Sequence, residues 1–309
     1  MQKTQKKSLL LALALAVSAS SWAQNVTING TGVSLEANKT PIHTAKNPQA
    51  IAQLPKGLHL AVPGKLTVAV AALNSPPLTV FSDDNKTLLG SEVDIARLVA
   101  DSLGLELNVV PTSWEDWPLG VASGKYDAAI SNITVTKERK QKFDFATYRV
   151  DSLAFSVKST SDIASVSGPA DLAGKKVIVG SGTNQERILL GWNAENEAAG
   201  RQPALPVYLT DDASGNLYIQ SGRADVFFGP QSVAAYKAAL SGKTKVVGLG
   251  PKKAYVATTT RKGNGLVYAL QAALDGAIAR GEYQKVLARW GEQGEEVRQS
   301  EVNPPGITY

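Results

Sequence analysis

The chain has 309 residues, of which 43% are hydrophobic and 19% charged, and this composition predicts a packed globular protein with room for two ordinary domains. Its formal net charge is +5; three of those charges come from lysines in the first seven residues, and the remaining +2 does not support a nucleic-acid partner. The absence of cysteine, and of histidine beyond His59, excludes disulfides, catalytic thiols and a histidine-based catalytic triad in the main body of the chain.

Residues 1–23 have the three-part pattern of a secretory signal peptide. An apolar run at 9–17 follows the lysines, and Ser21 and Ala23 occupy the small-residue cleavage positions. The alternative is a short membrane anchor, but the run is too short for a permanent spanning helix. Residue 24 is Gln24, which excludes a lipid-modified amino-terminal cysteine. We expect a periplasmic protein.

Residues 24–63 form an amino-terminal extension. This segment is polar, contains four prolines and shows no sustained hydrophobic period. The pattern leaves two possibilities open, packing against the main body and disorder.

From residue 65 onward, predicted strands alternate with predicted helices. A strand at 65–72 precedes a helix that Ser91 caps and Gly104 ends. A strand at 105–111 and a short helix at 114–124 follow. This alternation is typical of an α/β fold with a mainly parallel sheet.

The next strand, at 128–130, leads into a hydroxyl-rich loop that ends at Arg139. Thr136 is a plausible N-cap, which would place Arg139 in the first turn of a helix. A cation there opposes the helix dipole by a few tenths of a kcal/mol. A bound anion would explain the position, because arginine grips carboxylates through paired hydrogen bonds. The alternative is an ion pair with a neighbour such as Asp144.

The alternation restarts after residue 174 and ends in two helices, over 266–280 and 282–290. The segment "SGRADVFFGP" repeats the pattern of "SGKYDAAISN" earlier in the chain, which indicates two similar α/β lobes. In the second lobe, Thr183 and Glu186 form a capping box after a strand. Ligands of open α/β sheets bind beyond the carboxyl ends of the strands, so we expect this loop to face the Arg139 loop across a cleft.

From Lys65 to the carboxyl terminus, the sequence resembles family 3 of the bacterial extracellular solute-binding proteins. The resemblance is carried in order by "GSEVDIARLVADSLG", "SGKYDAAISNITVTKERKQKFDFA", "DLAGKKVIVGSGTNQE" and "ALDGAIARGEYQKVLARWG". It implies the type II periplasmic-binding-protein fold, in which two lobes joined by a two-segment hinge close on a ligand. Lobe I would comprise residues 64–155 and 258–309, and lobe II residues 156–257.

The resemblance also implies roles for individual residues. Arg139 would grip a ligand carboxylate with help from Thr134 and Asn132, and Thr183 and Asn184 would contribute from the other lobe. The implied partner is an inner-membrane ABC permease. The implied ligand is a small anionic or zwitterionic molecule, and we expect a monomer without cofactor or metal.

Several positions qualify this assignment. Trp114 stands where the family has an aromatic or apolar platform, although a core residue at a helix start is the alternative. Asn74 replaces a frequent aromatic, and Pro230 stands where the family places the aspartate that binds the α-amino group. We therefore expect ordinary zwitterionic amino acids to bind poorly. Arg149 and Asp151, near the hinge, could each contact the ligand.

Three functions compete at this stage. The first is a transport receptor for a small carboxylate or other oxyanion, such as an amino-acid derivative. The second is an enzyme on the same scaffold, similar to dehydratases or peptidoglycan lyases, which would need a general base. The acids available for that role are explained by capping, surface charge or hinge position: Glu92, Glu115, Asp151 and Glu186. The third, a sensory domain of a larger receptor, is not favoured because no transmembrane segment follows.

We predict that the exported protein begins at or near Gln24, because the small residues of a cleavage site directly precede it. Intact-mass measurement of the exported protein tests this, and a mass that retains the amino-terminal lysines would contradict it.

Overall fold

The computed structural model describes residues 25–209 and 211–308, so the predicted signal peptide lies outside the described residues. The strands are β1 (Val26–Ile28), β2 (Thr31–Val33), β3 (Lys65–Ala71), β4 (Val80–Phe81), β5 (Leu88–Leu89), β6 (Glu106–Thr112), β7 (Ala128–Ala129), β8 (Phe143–Lys158), β9 (Lys176–Val179), β10 (Leu205–Tyr208), β11 (Val226–Pro230) and β12 (Thr244–Arg261). The helices are α1 (Pro48–Ala52), α2 (Ser91–Leu103), α3 (Trp117–Ser123), α4 (Asn184–Ala198), α5 (Asp212–Ser221), α6 (Gln231–Ser241), α7 (Leu266–Arg280) and α8 (Glu282–Arg289). None of these helices is long and apolar enough to cross a membrane.

One sheet runs through the molecule, with its strands in the order β10-β9-β11-β8-β12-β7-β3-β6. At one end, β3 pairs in parallel with β6 and β7; we call this half lobe I. At the other end, β9 pairs in parallel with β10 and β11; we call this half lobe II. The long antiparallel strands β8 and β12 pass through both lobes, and they are the structural link between them.

The sequence pattern predicts separate strands at 245–250 and 254–260, where the structure has the single strand β12. Pairing with β8 resumes across this gap, but its register shifts between Leu249 and Lys253. Gly250 lies within the shifted region, and a Cβ atom there would lie 2.7 Å from the Cβ atom of Leu153, in β8. The shift thus coincides with a close approach of the two strands that the sequence pattern does not reveal.

The repeated sequence motif has the same structural role in each lobe. The Asp127 carboxylate accepts a hydrogen bond of 2.7 Å from the backbone N–H of Thr67, in β3. The Asp225 carboxylate accepts one of 2.8 Å from Lys176, at the start of β9. Each aspartate thus joins the start of its own strand to the neighbouring parallel strand, which accounts for its recurrence.

The start of α2 differs from the prediction that Ser91 is its N-cap. Gly90 is the N-cap, with φ 137°, and Ser91 is the first helical residue. A Cβ atom at Gly90 would lie 1.9 Å from the carbonyl oxygen of Leu78, so only glycine fits at this crossing of two chain segments. Gly104 ends the helix in the left-handed conformation, as predicted.

The extension before residue 64 packs on the main body, which answers the question that its sequence left open. The hairpin of β1 and β2 buries Val26, Ile28 and Val33 in the same core as α7 and α8. Farther along, the Asn47 carboxamide caps α1 and also donates a hydrogen bond of 3.0 Å to the carbonyl oxygen of Ala272, in α7.

We predict that Asn47→Ala lowers the free energy of unfolding by about 1–2 kcal/mol, because it removes a helix cap and a bond between the extension and lobe I. Chemical denaturation measures the change. Gln53→Ala, at the exposed other end of α1, is the matched control and should have a much smaller effect. Equal effects of the two substitutions would show that Asn47 does not anchor the extension.

Candidate functional site

The two loops predicted to face each other meet between the lobes. The Arg139 guanidinium of lobe I donates a hydrogen bond of 3.3 Å to the carbonyl oxygen of Gly182 in lobe II. Beside it, Glu138 of lobe I forms an ion pair with Arg187 of lobe II. These contacts define the cleft in which the candidate site lies.

The cleft contains two chambers, an inner and an outer one, and four residues line both of them: Trp114, Glu115, Ser181 and Asn184. The inner chamber has a volume of about 130 Å³. Its polar wall includes Asn132, Thr183 and Asn184. Its apolar wall draws on both lobes: Leu73, Leu78, Trp114, Ile178, Phe227 and Val233.

The outer chamber is larger, with a volume of about 360 Å³. Aromatic and apolar groups line part of it, with Trp117 and Phe143 beside Trp114. Its charged residues are the cations Arg139, Lys142 and Arg187 and the acids Glu115 and Glu138, whereas the described lining of the inner chamber contains no lysine or arginine. The two chambers therefore differ in charge as well as in size.

The structure brings most of the predicted binding residues to these chambers. Five of them line the inner chamber: Trp114, Asn132, Thr183, Asn184 and Pro230. Arg139 lines the outer chamber. Thr134 lines neither, but its carbonyl oxygen accepts a hydrogen bond of 3.0 Å from Arg139. Asn74 also lines neither chamber; its neighbours Leu73 and Ser75 do, while the Asn74 side chain accepts a bond from the backbone of Phe81.

Arg139 begins a three-residue 3-10 turn rather than a regular helix, so the predicted conflict with a helix dipole does not arise. Thr136 accepts a hydrogen bond of 3.1 Å from the Arg139 backbone N–H, as expected of a cap. The guanidinium carbon lies 5.4 Å from the centre of the Trp114 ring and 5.9 Å from that of Trp117. Asp144, the alternative partner, instead accepts hydrogen bonds from Gly263 and Asn303.

Thr183 caps α4 as predicted, but the capping box is only half formed, because the Glu186 carboxylate bonds to the backbone of Gly182 and not to that of Thr183. The Thr183 hydroxyl accepts a hydrogen bond of 3.2 Å from the backbone of Glu186, whose carboxylate accepts one of 2.6 Å from the backbone of Gly182. Gly182 has φ 68° and approaches the Trp114 ring, where a Cβ atom would lie 3.8 Å from Nε1. The local sequence thus accounts for the shape of the lobe II loop, which forms one wall of the cleft.

Arg149 is not the second ligand cation that the resemblance left open. Its side chain is fully buried and donates hydrogen bonds to Glu92, at 3.1 Å, to Asn132, at 2.5 Å, and to Glu295. Glu292 lies 3.5 Å away. Arg149 therefore pairs with carboxylates inside the protein. It also holds the Asn132 side chain against strand β8.

Asp151 also belongs to this buried cluster and lines neither chamber. Its carboxylate accepts a hydrogen bond of 3.0 Å from the Asn132 side chain. Burial, followed by the nearby negative charge of Glu295, raises the pKa of Asp151 to about 7. Burial raises the pKa of Glu292 to about 8, although Arg149 opposes this shift. Sequence reasoning missed the cluster; its local signal is the pair of charged residues Arg149 and Asp151 within a largely buried strand.

Among residues 25–209 and 211–308, no group of three or more histidine, cysteine, aspartate or glutamate side chains could hold a metal ion.

A family model and individual relatives both identify this chain as similar to bacterial solute-binding proteins. The model for bacterial extracellular solute-binding proteins, family 3, matches residues 66–293. The chain is 29% identical to the arginine-binding protein ArgT of Corynebacterium glutamicum over 80% of each chain. It is 38% identical to the L-cystine-binding protein TcyJ of Escherichia coli K12, over 37% of this chain and 42% of the length of TcyJ.

Solved structures agree with this likeness. An ancestral arginine-binding protein bound to arginine matches 74% of this chain and 98% of its own, with a TM-score of 0.66 and 27% identity. The ancestral amino acid-binding protein AncCDT-1, a precursor of cyclohexadienyl dehydratase, matches 74% and 95%, with a TM-score of 0.64 and 27% identity. These matches confirm the predicted type II periplasmic-binding-protein fold.

We predict that the buried cluster makes stability depend on pH. Between its unfolded pKa, near 3.8, and its folded pKa, near 7, Asp151 holds a proton in the native state that the unfolded chain has released. The free energy of unfolding should therefore fall as pH rises through this window, by up to ~1.4 kcal/mol per pH unit.

Asp151→Asn cannot release this proton and should flatten the slope, which denaturant unfolding at a series of pH values measures. Asp162→Asn, on the exposed surface of lobe II, is the matched control and should keep the original slope. An unchanged slope in Asp151→Asn would contradict the prediction.

Proposed function

The chain belongs to the bacterial extracellular solute-binding proteins of family 3, and we propose that it is the periplasmic receptor of an ABC importer whose two lobes close on a small amino-acid-like carboxylate. The predicted signal peptide fits delivery to the periplasm. An inner-membrane permease is the partner to which such a receptor would pass its ligand.

The observation that carries the proposal is the position of Arg139 between the lobes. Its guanidinium reaches from lobe I to a carbonyl oxygen of lobe II over the face of Trp114. A carboxylate accepts two parallel, charge-assisted hydrogen bonds from a guanidinium and is a stronger acceptor than a carbonyl. A ligand carboxylate would replace the long bond to Gly182 and would itself join the two lobes.

The inner chamber suits the remainder of such a ligand. Its aromatic and aliphatic wall would cover an apolar or flat group. Its charged lining residues are acidic, namely Glu92, Glu115 and Asp211, so a neutral or cationic end is favoured over an anionic one. The named arginine-binding and cystine-binding relatives support an amino-acid-derived ligand.

Catalysis is the second candidate, because one structural neighbour is a precursor of a dehydratase. Two of the three acids that line the inner chamber are already engaged: Glu92 accepts hydrogen bonds from Tyr148 and Arg149, and Asp211 accepts them from Ser214. The third, Glu115, is exposed to solvent. A general base needs an acceptor that reaches the substrate proton, so this arrangement favours binding over catalysis.

We predict that Arg139→Ala weakens ligand binding by ~2–5 kcal/mol, because it removes one partner of a desolvated charge pair. Thermal-shift screening of the mature protein against amino acids, N-acylated amino acids, organic acids and sulfonates would first identify a ligand. At 100 times its dissociation constant, that ligand should stabilise the protein by ~2.7 kcal/mol. Calorimetric titration of the variant would then measure the loss.

Arg223→Ala is the control, since Arg223 is exposed on lobe II and lines neither chamber. It should bind the ligand like the original protein. An affinity that survives in Arg139→Ala would mean that this arginine serves only to join the lobes.

A further inference from the structure

We infer that the carboxyl-terminal segment, residues 301–308, holds Arg139 in its binding position, and that Gly306 and Lys140 are positioning residues for this arginine. The inference rests on the proposed function, since it takes Arg139 as the partner of a ligand carboxylate. It adds a part of the chain that the family match, which ends at residue 293, does not include.

The loop that leads to Arg139 is paired on both of its sides. On one side, the backbone N–H of Val135 donates a hydrogen bond of 2.8 Å to the carbonyl oxygen of Tyr255, in β12. On the other side, the Val135 carbonyl oxygen accepts a bond of 3.1 Å from the backbone N–H of Ile307. The Ile307 carbonyl oxygen in turn accepts one of 3.3 Å from the backbone N–H of Lys137. The loop is therefore the middle of three paired chain segments.

The same loop residues hold the arginine itself. The carbonyl oxygen of Thr134 accepts a hydrogen bond of 3.0 Å from the Arg139 guanidinium, and the Thr136 hydroxyl accepts one of 3.1 Å from the Arg139 backbone N–H. Thr134 and Thr136 flank Val135, to which the carboxyl-terminal segment is bonded. A shift of the segment would therefore also shift the two groups that hold Arg139.

Lys140 provides a second contact between the segment and the Arg139 turn. Its ammonium group donates hydrogen bonds of 2.8 Å to the carbonyl oxygen of Asn303 and of 2.6 Å to that of Pro304. The Asn303 side chain accepts a bond of 3.0 Å from the backbone N–H of Phe145, in β8. Because Lys140 directly follows Arg139 in the 3-10 turn, the segment joins this turn to β8.

Gly306 packs directly on the backbone of the loop. A Cβ atom at this position would lie 2.5 Å from the carbonyl carbon of Thr136 and 2.5 Å from the backbone nitrogen of Lys137. Both distances are too short for a real contact, so the loop or the segment would have to move. The absence of a side chain at Gly306 is therefore what allows the segment to approach and pair with the loop.

These contacts bear on ligand binding because the Arg139 side chain is only half-buried. Its direction depends on bonds to the loop rather than on enclosure in a core. A guanidinium forms two parallel bonds to a carboxylate only in the correct orientation. Binding groups need supporting contacts that hold them to within about 0.5 Å, and the carboxyl-terminal segment supplies such support.

Hydrogen exchange, measured by NMR on the mature protein without ligand, tests whether the segment holds the loop. Gly306→Ala should speed exchange of the Lys137 and Arg139 backbone N–H groups at least about tenfold, because it separates the loop from the segment. Gly32→Ala is the matched control, since a Cβ atom there would meet nothing within 4 Å and Gly32 lines neither chamber. It should leave both rates unchanged. Unchanged rates in Gly306→Ala would overturn the inference.

Calorimetric titration tests whether the segment acts through Arg139. The probe is the tightest binder among the common amino acids and their Nα-acetyl derivatives. Gly306→Ala should weaken its binding about tenfold, and Lys140→Met, which removes two hydrogen bonds without adding a clash, about threefold. In the Arg139→Ala background, neither substitution should cause a further loss. Lys86→Met, an exposed lysine of lobe I that lines neither chamber, is the control for Lys140→Met and should bind the probe normally.

A further loss in the Arg139→Ala background would show that the segment supports the lobe without positioning the arginine. Equal binding by Lys140→Met and Lys86→Met would exclude Lys140 from this role. Should Gly306→Ala not fold, Lys140→Met is carried through both measurements instead. If no probe bound the original protein, the proposed function would be contradicted, and hydrogen exchange alone would decide whether the segment holds Arg139.

Discussion

The buried charge of Arg149 is the constraint on which the arrangement of the cleft depends. A guanidinium inside a protein must be paired, and breaking a buried pair costs about 3–5 kcal/mol. Here the partners come from α2, from β8 itself and from the segment after α8. They are Glu92, Asp151, Glu292 and Glu295. These contacts hold strand β8 against lobe I at the point where β8 continues into lobe II.

This cluster reaches the ligand side of the molecule through Asn132. The oxygen of the Asn132 carboxamide accepts a hydrogen bond from Arg149, and its nitrogen donates one to Asp151. Both polar atoms of this side chain are therefore bonded within the cluster. Its backbone has φ 52°, a conformation that asparagine tolerates better than most residues. The loop that leads to Arg139 starts here. The amino-terminal hairpin contacts both α8 and α6.

The sequence predicted those features that local chemistry determines. The N-cap at Thr183 and the glycine that ends α2 were recognisable because each depends on a few neighbouring residues. Pro230 was located by its distance from a strand aspartate, and it does line the inner chamber. The lobe boundaries stay a proposal, since β8 and β12 run through both lobes without a break.

Other features depend on residues that are far apart in the chain, so no local sequence pattern predicts them. Arg149 and Glu295 are 146 residues apart, so neither predicts the other. The two chambers that Trp114 lines are built from residues of both lobes. The packing of the extension likewise depends on helices at the other end of the sequence, where Asn38 donates a hydrogen bond to the backbone of Arg289.

The central claim is that Arg139 recognises the ligand through its carboxylate. A thermodynamic cycle tests this most directly: the original protein and Arg139→Ala are each titrated with the ligand and with its primary amide, which lacks the negative charge. The account predicts a coupling free energy of at least ~2 kcal/mol between the guanidinium and the carboxylate. Additive effects, with a coupling below ~0.5 kcal/mol, would contradict it.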